Sequence, residues 1–188
     1  MNVQDTYMNR KADRELEERL LKKVAKKDDK AFEQLYELTS KSIFFYLYRL
    51  LQDKETAEDL HMEVYVAVWK NAQGFKGKSR VKTWMFGIAR NMAMNELRKH
   101  HRQDRRIDGP IRDENSFKAF KEFERNDAVQ AALTQLSYKH REILDLVYFH
   151  GQSYSEISKL LVIPENTVKT RVHYAKAALK ETIGKTDG

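Results

Sequence analysis

Asn91 and Asn95 stand one helical turn apart, with Gly87 a turn before them and Arg98 and Arg102 beyond, in a stripe without an apolar side chain. Two asparagines so placed cost helix propensity and gain no packing. Asn amides and Arg forks are the groups that read base edges and grip phosphates, so the chemistry this stripe suggests is nucleic-acid recognition. A second set lies near the C-terminus. Asn166, Lys169, Thr170, His173, Lys176 and Lys180 share the outward side of a helical repeat, with Arg171 and Tyr174 at its flanks. An outward face of cations and hydrogen-bond donors is what a recognition helix needs. Other chemistries lack their residues. There is no nucleophile with a base at motif spacing, no phosphate-cradling glycine loop and no paired catalytic carboxylates. His173 has no second ligand beside it, His61, His140 and His150 are equally isolated, and His100 and His101 read as phosphate-facing or solvated. No catalytic residue, cofactor or metal site is therefore expected. The absence of cysteine excludes disulfide scaffolds, thiol redox enzymes and Cys-ligated zinc modules.

The charge is concentrated. Of a net +7 over 188 residues, Lys70 to Arg106 holds eleven Lys/Arg against Glu96 and Asp104 alone, a local +9. Residues 107–128 sum to −2 and 129–188 to +2. A basic block beside Phe75, Trp84 and Phe86 suits a polyanion, since Lys/Arg clusters gain affinity by releasing condensed counterions from phosphates; a solvated surface face is the plainer alternative. The longest apolar runs, Ile43–Tyr48 and Val64–Trp69, are six residues each, far short of the roughly 20 that a membrane span needs. The N-terminus has Arg10, Lys11, Asp13 and Arg14 with no apolar segment behind them, so no signal peptide is read and a cytoplasmic location is expected.

These residues must be positioned by helices, because seven Gly and two Pro leave few tight turns. Periodicity predicts helices over 15–27, 30–51, 54–72 and 83–102, the last capped by Thr83 and preceded by a loop over 73–82 with Gly74 and Gly77. Helix 54–72 is apolar on two sides, one through Ala57, Leu60, Val64, Ala67 and Val68, the other through Met62, Tyr65, Val66 and Trp69. Such a helix needs cover on both sides, either from its own bundle or from a partner. Residues 105–122, with Asp108, Gly109, Pro110, Asp113 and Glu114, read as a flexible acidic linker. Four short helices follow over 123–136, 138–149, 153–161 and 164–183. Ser153 and Glu156 form a capping box, Ile157, Leu160 and Leu161 face inward, and Pro164 suits the first turn of the next helix, whose buried stripe is Val168, Val172, Ala175 and Leu179. This is the pattern of a helix-turn-helix. The fold class expected is all-α, two small helical domains joined by a linker. The divisions are an N-terminal extension of uncertain order (1–22), a first domain (23–104), the linker (105–122) and a helix-turn-helix domain (123–188).

Three stretches in one order spell a resemblance: AEDLHMEVYVAVWK at 57–70, FKGKSRVKTWMFGIARN at 75–91 and SYSEISKLLVIPENTVKTRV at 153–172. Together they resemble the conserved segments of the extracytoplasmic-function (ECF) sigma factors of the sigma-70 family, over about residues 23 to 183. The resemblance implies a cytoplasmic subunit that has no catalytic activity, associates with core RNA polymerase and directs it to promoters. Asp59, Met62, Glu63, Val66 and Trp69 would then form or support the polymerase-docking surface. Phe75, Lys78, Ser79, Arg80, Lys82, Trp84, Asn91, Asn95 and Arg98 would open the −10 element and hold a flipped base. Asn166, Thr167, Lys169, Thr170, Arg171, His173, Tyr174 and Lys176 would read the −35 element as duplex. An inhibitory anti-sigma factor, often membrane-linked, is a further implied partner. The sequence departs from the family pattern at His61-Met62, Val81, Asn166 and Tyr174, which bears on the bases read and the fine polymerase contacts. The competing reading is a stand-alone helix-turn-helix regulator that binds duplex DNA without polymerase; a nuclease would need a metal-carboxylate cluster that the chain does not show.

Overall fold

The computed structural model describes residues 3–104 and 127–186, so the expected linker, residues 105–122, lies outside the described residues. All regular structure among the described residues is helical. The N-terminal half contains α1 (Val3–Val24), α2 (Asp29–Leu51), α3 (Lys54–Asn71) and α4 (Val81–Asp104), with a single 3-10 turn at Ala72–Gly74. The C-terminal half contains α5 (Asp127–Gln135), α6 (Tyr138–Leu144) running into a π turn at Asp145–Phe149, α7 (Tyr154–Leu161) and α8 (Glu165–Thr186).

Local chemistry sets the helix ends. Asp28 caps α2 by accepting from the Ala31 amide at 3.0 Å, and Asp53 caps α3 by accepting from Thr56 at 3.2 Å. Gln52 closes α2 in the left-handed conformation, its amide donating to the Tyr48 carbonyl at 2.7 Å. The buried Arg141 guanidinium donates to the Thr134 carbonyl at 3.1 Å and so satisfies the C-terminal end of α5; burial lowers its pKa to about 10. The capping box of α7 is formed as the sequence predicts, Ser153 accepting from the Glu156 amide at 3.2 Å and its own amide donating to the Glu156 carboxylate at 2.8 Å. Two expectations are corrected. Helix α1 begins at Val3, well before Glu15, and Leu20, Leu21 and Val24 bury into the core. Helix α4 begins at Val81, so Thr83 is not its cap; the Trp84 amide bonds instead to the Arg80 carbonyl at 3.0 Å.

The N-terminal core is built by Leu21, Val24, Leu35, Ile43, Leu47, Val64, Val68, Met85 and Ala89. The second apolar side of α3 divides. Tyr65 is buried and shares a 2.7 Å hydrogen bond with Thr39, while Trp69 packs edge-on against Phe32 with ring centroids 5.1 Å apart. Helix α2 thus covers Tyr65 and Trp69, and only Met62 and Val66 remain exposed, at 59% and 50%. In the C-terminal half Ile143, Ile157, Val168, Val172 and Ala175 make the core under α8. Leu160 is half-buried against the core as expected, and its Cδ1 also reaches α4, 3.7 Å from the Cβ position of Gly87.

Candidate nucleic-acid and protein-binding surfaces

The segment between α3 and α4 folds back on α1. Gln73 donates to the Ala25 carbonyl at 3.0 Å, and Lys27 donates to the Trp69 carbonyl at 2.8 Å while lying over the Trp69 ring. Gly77 takes a positive φ of 68°, which a glycine adopts without the Cβ clash that other residues meet. Phe75, half-buried, leans on Trp84 with centroids 5.4 Å apart. Lys76 and Lys78 stand exposed at the turn. Ser79 donates to the Arg80 carbonyl at 3.2 Å, and Lys82 reaches to 3.9 Å from Glu17. Burial raises the pKa of that glutamate, Lys82 opposing it. Asn91, Asn95 and Arg98 are exposed along α4, as their spacing predicts.

The sequence reasoning did not foresee that the beginning of this face is covered. The Arg80 Nε donates to Glu156 at 2.7 Å, and the buried Thr83 hydroxyl donates to Gln152 at 2.7 Å. Arg90, one residue before Asn91, donates to Glu142 at 2.8 Å, and Tyr46 donates to the same carboxylate oxygen at 2.8 Å. Burial and the adjacent carboxylate raise the Tyr46 pKa. Arg49 pairs with the buried Asp145, whose other oxygen lies 3.0 Å from His150 Nε2. Phe86, grouped with the basic block on sequence, is fully buried between Tyr46 and His150. The one available signal was composition: Glu142, Asp145, Gln152 and Glu156 are polar groups within a short apolar-periodic stretch.

On α8 the outward face is open. Asn166, Lys169, Thr170, His173 and Tyr174 are exposed, Thr167 and Arg171 are half-buried, and Thr170 donates to the Asn166 carbonyl at 3.0 Å. Lys176 is exposed with its Nζ 5.7 Å from the centre of the Tyr148 ring, and Tyr148 holds its pKa above the ordinary lysine value. Tyr148, 56% exposed on the π turn, is a residue that periodicity could not place on this surface. On α3 the polymerase-docking candidates Asp59, Met62, Glu63 and Val66 form an exposed strip, and Trp69 supports it from a half-buried position. Among the described residues no group of three His, Cys, Asp or Glu could hold a metal ion, and no helix is long and apolar enough to cross a membrane.

Known proteins share this arrangement. The sigma-70 region 2 family model matches residues 35–103 and the sigma-70 region 4 model residues 126–179. The chain is 26% identical over 177 residues to the ECF RNA polymerase sigma factor SigW of Bacillus subtilis (strain 168), covering 87% of this chain and 94% of that protein. It is 30% identical over 162 residues to SigX of the same organism, covering 81% and 84%. Its fold is similar to that of the sigma factor RpoE solved in complex with the anti-sigma factor NepR from Bartonella quintana, with a TM-score of 0.69, 23% identity and coverage of 82% and 98%. The chain belongs to the ECF RNA polymerase sigma factors, in the sigma-70 family. Its function is therefore to direct promoter-specific transcription, and the stand-alone regulator is not favoured.

Proposed function

We propose that the two faces divide the promoter between them, within holoenzyme and without catalysis by this chain. The carrying observation is the exposed Asn91–Asn95–Arg98 stripe beside the Phe75–Trp84 pair and the Lys76–Lys78 turn. Aromatic faces stack on unpaired bases, amides bond to their edges and cations hold the backbone, a combination suited to a single strand with one base extruded. Extrusion costs a few kcal/mol, which a fitted pocket and phosphate contacts must offset. The outward face of α8, with Asn166, Lys169, Thr170, Arg171, His173, Tyr174 and Lys176, reads the −35 duplex in the major groove, Thr167 lying at its edge.

The strip Asp59, Met62, Glu63 and Val66 docks on core polymerase, an apolar centre with an acidic rim. The domain divisions at 23–104 and 123–188 serve these two tasks, with 105–122 joining them. The cytoplasm is where such a subunit meets polymerase and promoter. An anti-sigma factor is the proposed inhibitory partner, supported by the complex in which the similar RpoE was solved.

Asn91→Ala tests the first assignment. It should slow promoter opening by holoenzyme about tenfold, the worth of one lost amide contact of about 1–3 kcal/mol, and leave closed-complex binding nearly unchanged. Permanganate footprinting beside a duplex-binding assay separates the two, and equal loss in both would count against the flipped-base role.

A further inference from the structure

One end of the N-terminal half carries a concentration of charge that extends beyond the promoter contacts proposed above. The turn from α1 to α2, the last turn of α3 and the segment leading into α4 meet there: Lys27 donates to the Trp69 carbonyl at 2.8 Å, and Gln73 donates to the Ala25 carbonyl at 3.0 Å. Lys22, Lys26 and Lys30 stand exposed on one side of this junction, Lys70 at the end of α3, and Lys76 and Lys78 on the loop. The acidic groups nearby are Glu18, a turn before Lys22, Asp28, which is engaged in capping α2, and Asp29 in the first turn of that helix. Elsewhere on the surface lysines find carboxylates, Lys54 with Glu58, Lys82 with Glu17 and Lys99 with Glu96. No ion pair among the described residues holds any of the six lysines exposed at this end.

Helix dipoles account for part of this set. Lys22 lies in the last turn of α1 and Lys70 in the last turn of α3, where a cation complements the unpaired carbonyls. They do not account for the rest. Lys26, Lys76 and Lys78 lie outside the helices, and Lys30 lies in the first turn of α2, the end that disfavours a cation. Repulsion among like charges so placed is relieved by a polyanion, whose binding releases its counterions. The residue type narrows the ligand. Lysine is a point charge that grips phosphate and lacks the planar fork that reads a base edge, so this surface suits a nucleic-acid backbone of any sequence. Position narrows it further. Phe75 and Trp84, whose rings suit unpaired bases, stand at the lysine end of the Asn91 stripe, Trp84 two turns before Asn91 on α4. Because the −35 element is read as duplex, the unpaired strand continues only away from it, and past Phe75 it meets these lysines.

We propose that this end of the bundle is a further DNA-binding surface, on which Lys22, Lys26, Lys30 and Lys70 hold phosphates of the unpaired promoter strand beyond the −10 element. The proposal rests on the assignment of the α4 face to the −10 strand and extends it by a track that is independent of sequence. Held there, the strand is kept from re-pairing with its complement, which adds to the stability of the open promoter without adding a base preference.

Two forked promoters test the surface with holoenzyme. Both are duplex through the −35 element and single-stranded at the −10 element; in one the strand ends there, and in the other it continues as a thymidine tail. Wild-type holoenzyme should bind the tailed template more tightly. Lys22→Ala combined with Lys26→Ala and Lys70→Ala should abolish that advantage and leave the short template unchanged. The slope of log affinity against log salt on the tailed template should become shallower by about 2, three contacts at about 0.7 each. Lys26→Glu, a single exposed change, should weaken binding to the tailed template alone, and circular dichroism and co-purification with core polymerase check that both variants fold and assemble. A tail that gives the wild type no advantage, equal loss on both templates, an advantage that survives the substitutions, or a salt slope that does not move each overturn the proposal. Failure of the −10 assignment has a separate signature: Asn91→Ala would then leave affinity for the short template untouched, whatever the lysine variants do to the tail.

Discussion

Val162 ends α7 at φ 55° and ψ 50° with its side chain 87% exposed. A β-branched residue in the left-handed region places Cβ against the following carbonyl, and nothing packs on the side chain to compensate. Val162→Gly should therefore stabilise the chain by about 1 kcal/mol, raising its melting temperature by roughly 2–4 °C. His61 gives a second prediction. Its ring shares a 3.1 Å hydrogen bond with Ser40 and lies among Tyr36, Phe44 and Tyr65. Burial lowers its pKa from the ordinary 6.5, the contact with Ser40 opposing. The unfolded chain then binds a proton that the folded chain does not, so this stability is present above the ordinary value and lost as pH falls toward the folded pKa. Urea unfolding at about pH 7 and about pH 5.5 should show that loss, and His61→Gln, which does not titrate, should lose less. Neither effect was legible in the sequence. His61 reads there as an isolated histidine, and the strain at Val162 depends on a backbone angle.

At the scale of the helix, the sequence foretold which elements exist because amphipathic period and caps are local properties. Helices α2 and α3 lie within a residue of their predicted bounds. The start of α4 was misplaced on Thr83, a good cap by type: the helix begins at Val81, with the Trp84 amide bonded to the Arg80 carbonyl, and the Thr83 hydroxyl donates to Gln152 instead of capping. The two-sided helix α3 is the instructive case. Periodicity could not choose between a central position and an external partner, and the structure apportions the apolar residues, Tyr65 and Trp69 to α2, Met62 and Val66 to solvent. Val66→Asp should therefore leave thermal stability within about 0.5 kcal/mol of wild type, as exposed positions do, yet abolish co-purification with core polymerase. Retained complex would remove this strip from the docking surface. Trp69→Asp would disturb the packing on Phe32 and does not isolate docking.

At the scale of the whole molecule, Arg80–Glu156, Thr83–Gln152, Arg90–Glu142 and Arg49–Asp145 join the two halves beside a hydrophobic core that both share, and the coupling is measurable without DNA or polymerase. Calorimetry of the free chain should show one cooperative transition; Glu142→Gln, which leaves the Arg90 guanidinium without its partner carboxylate, should separate it into two. The sequence by itself determined the helical class, the capping box of α7, the buried stripe of α8 and the exposure of Asn91, Asn95 and Arg98 on α4 and of Asn166, Lys169, Thr170 and His173 on α8, since each follows from spacing within one helix. Only the tertiary structure decided that Arg80, Thr83 and Arg90 are held by Glu156, Gln152 and Glu142. Those partners stand 76, 69 and 52 positions away, and no helical period reaches so far. Pairing across that separation depends on how two independently amphipathic halves meet, and only three-dimensional packing supplies that relation.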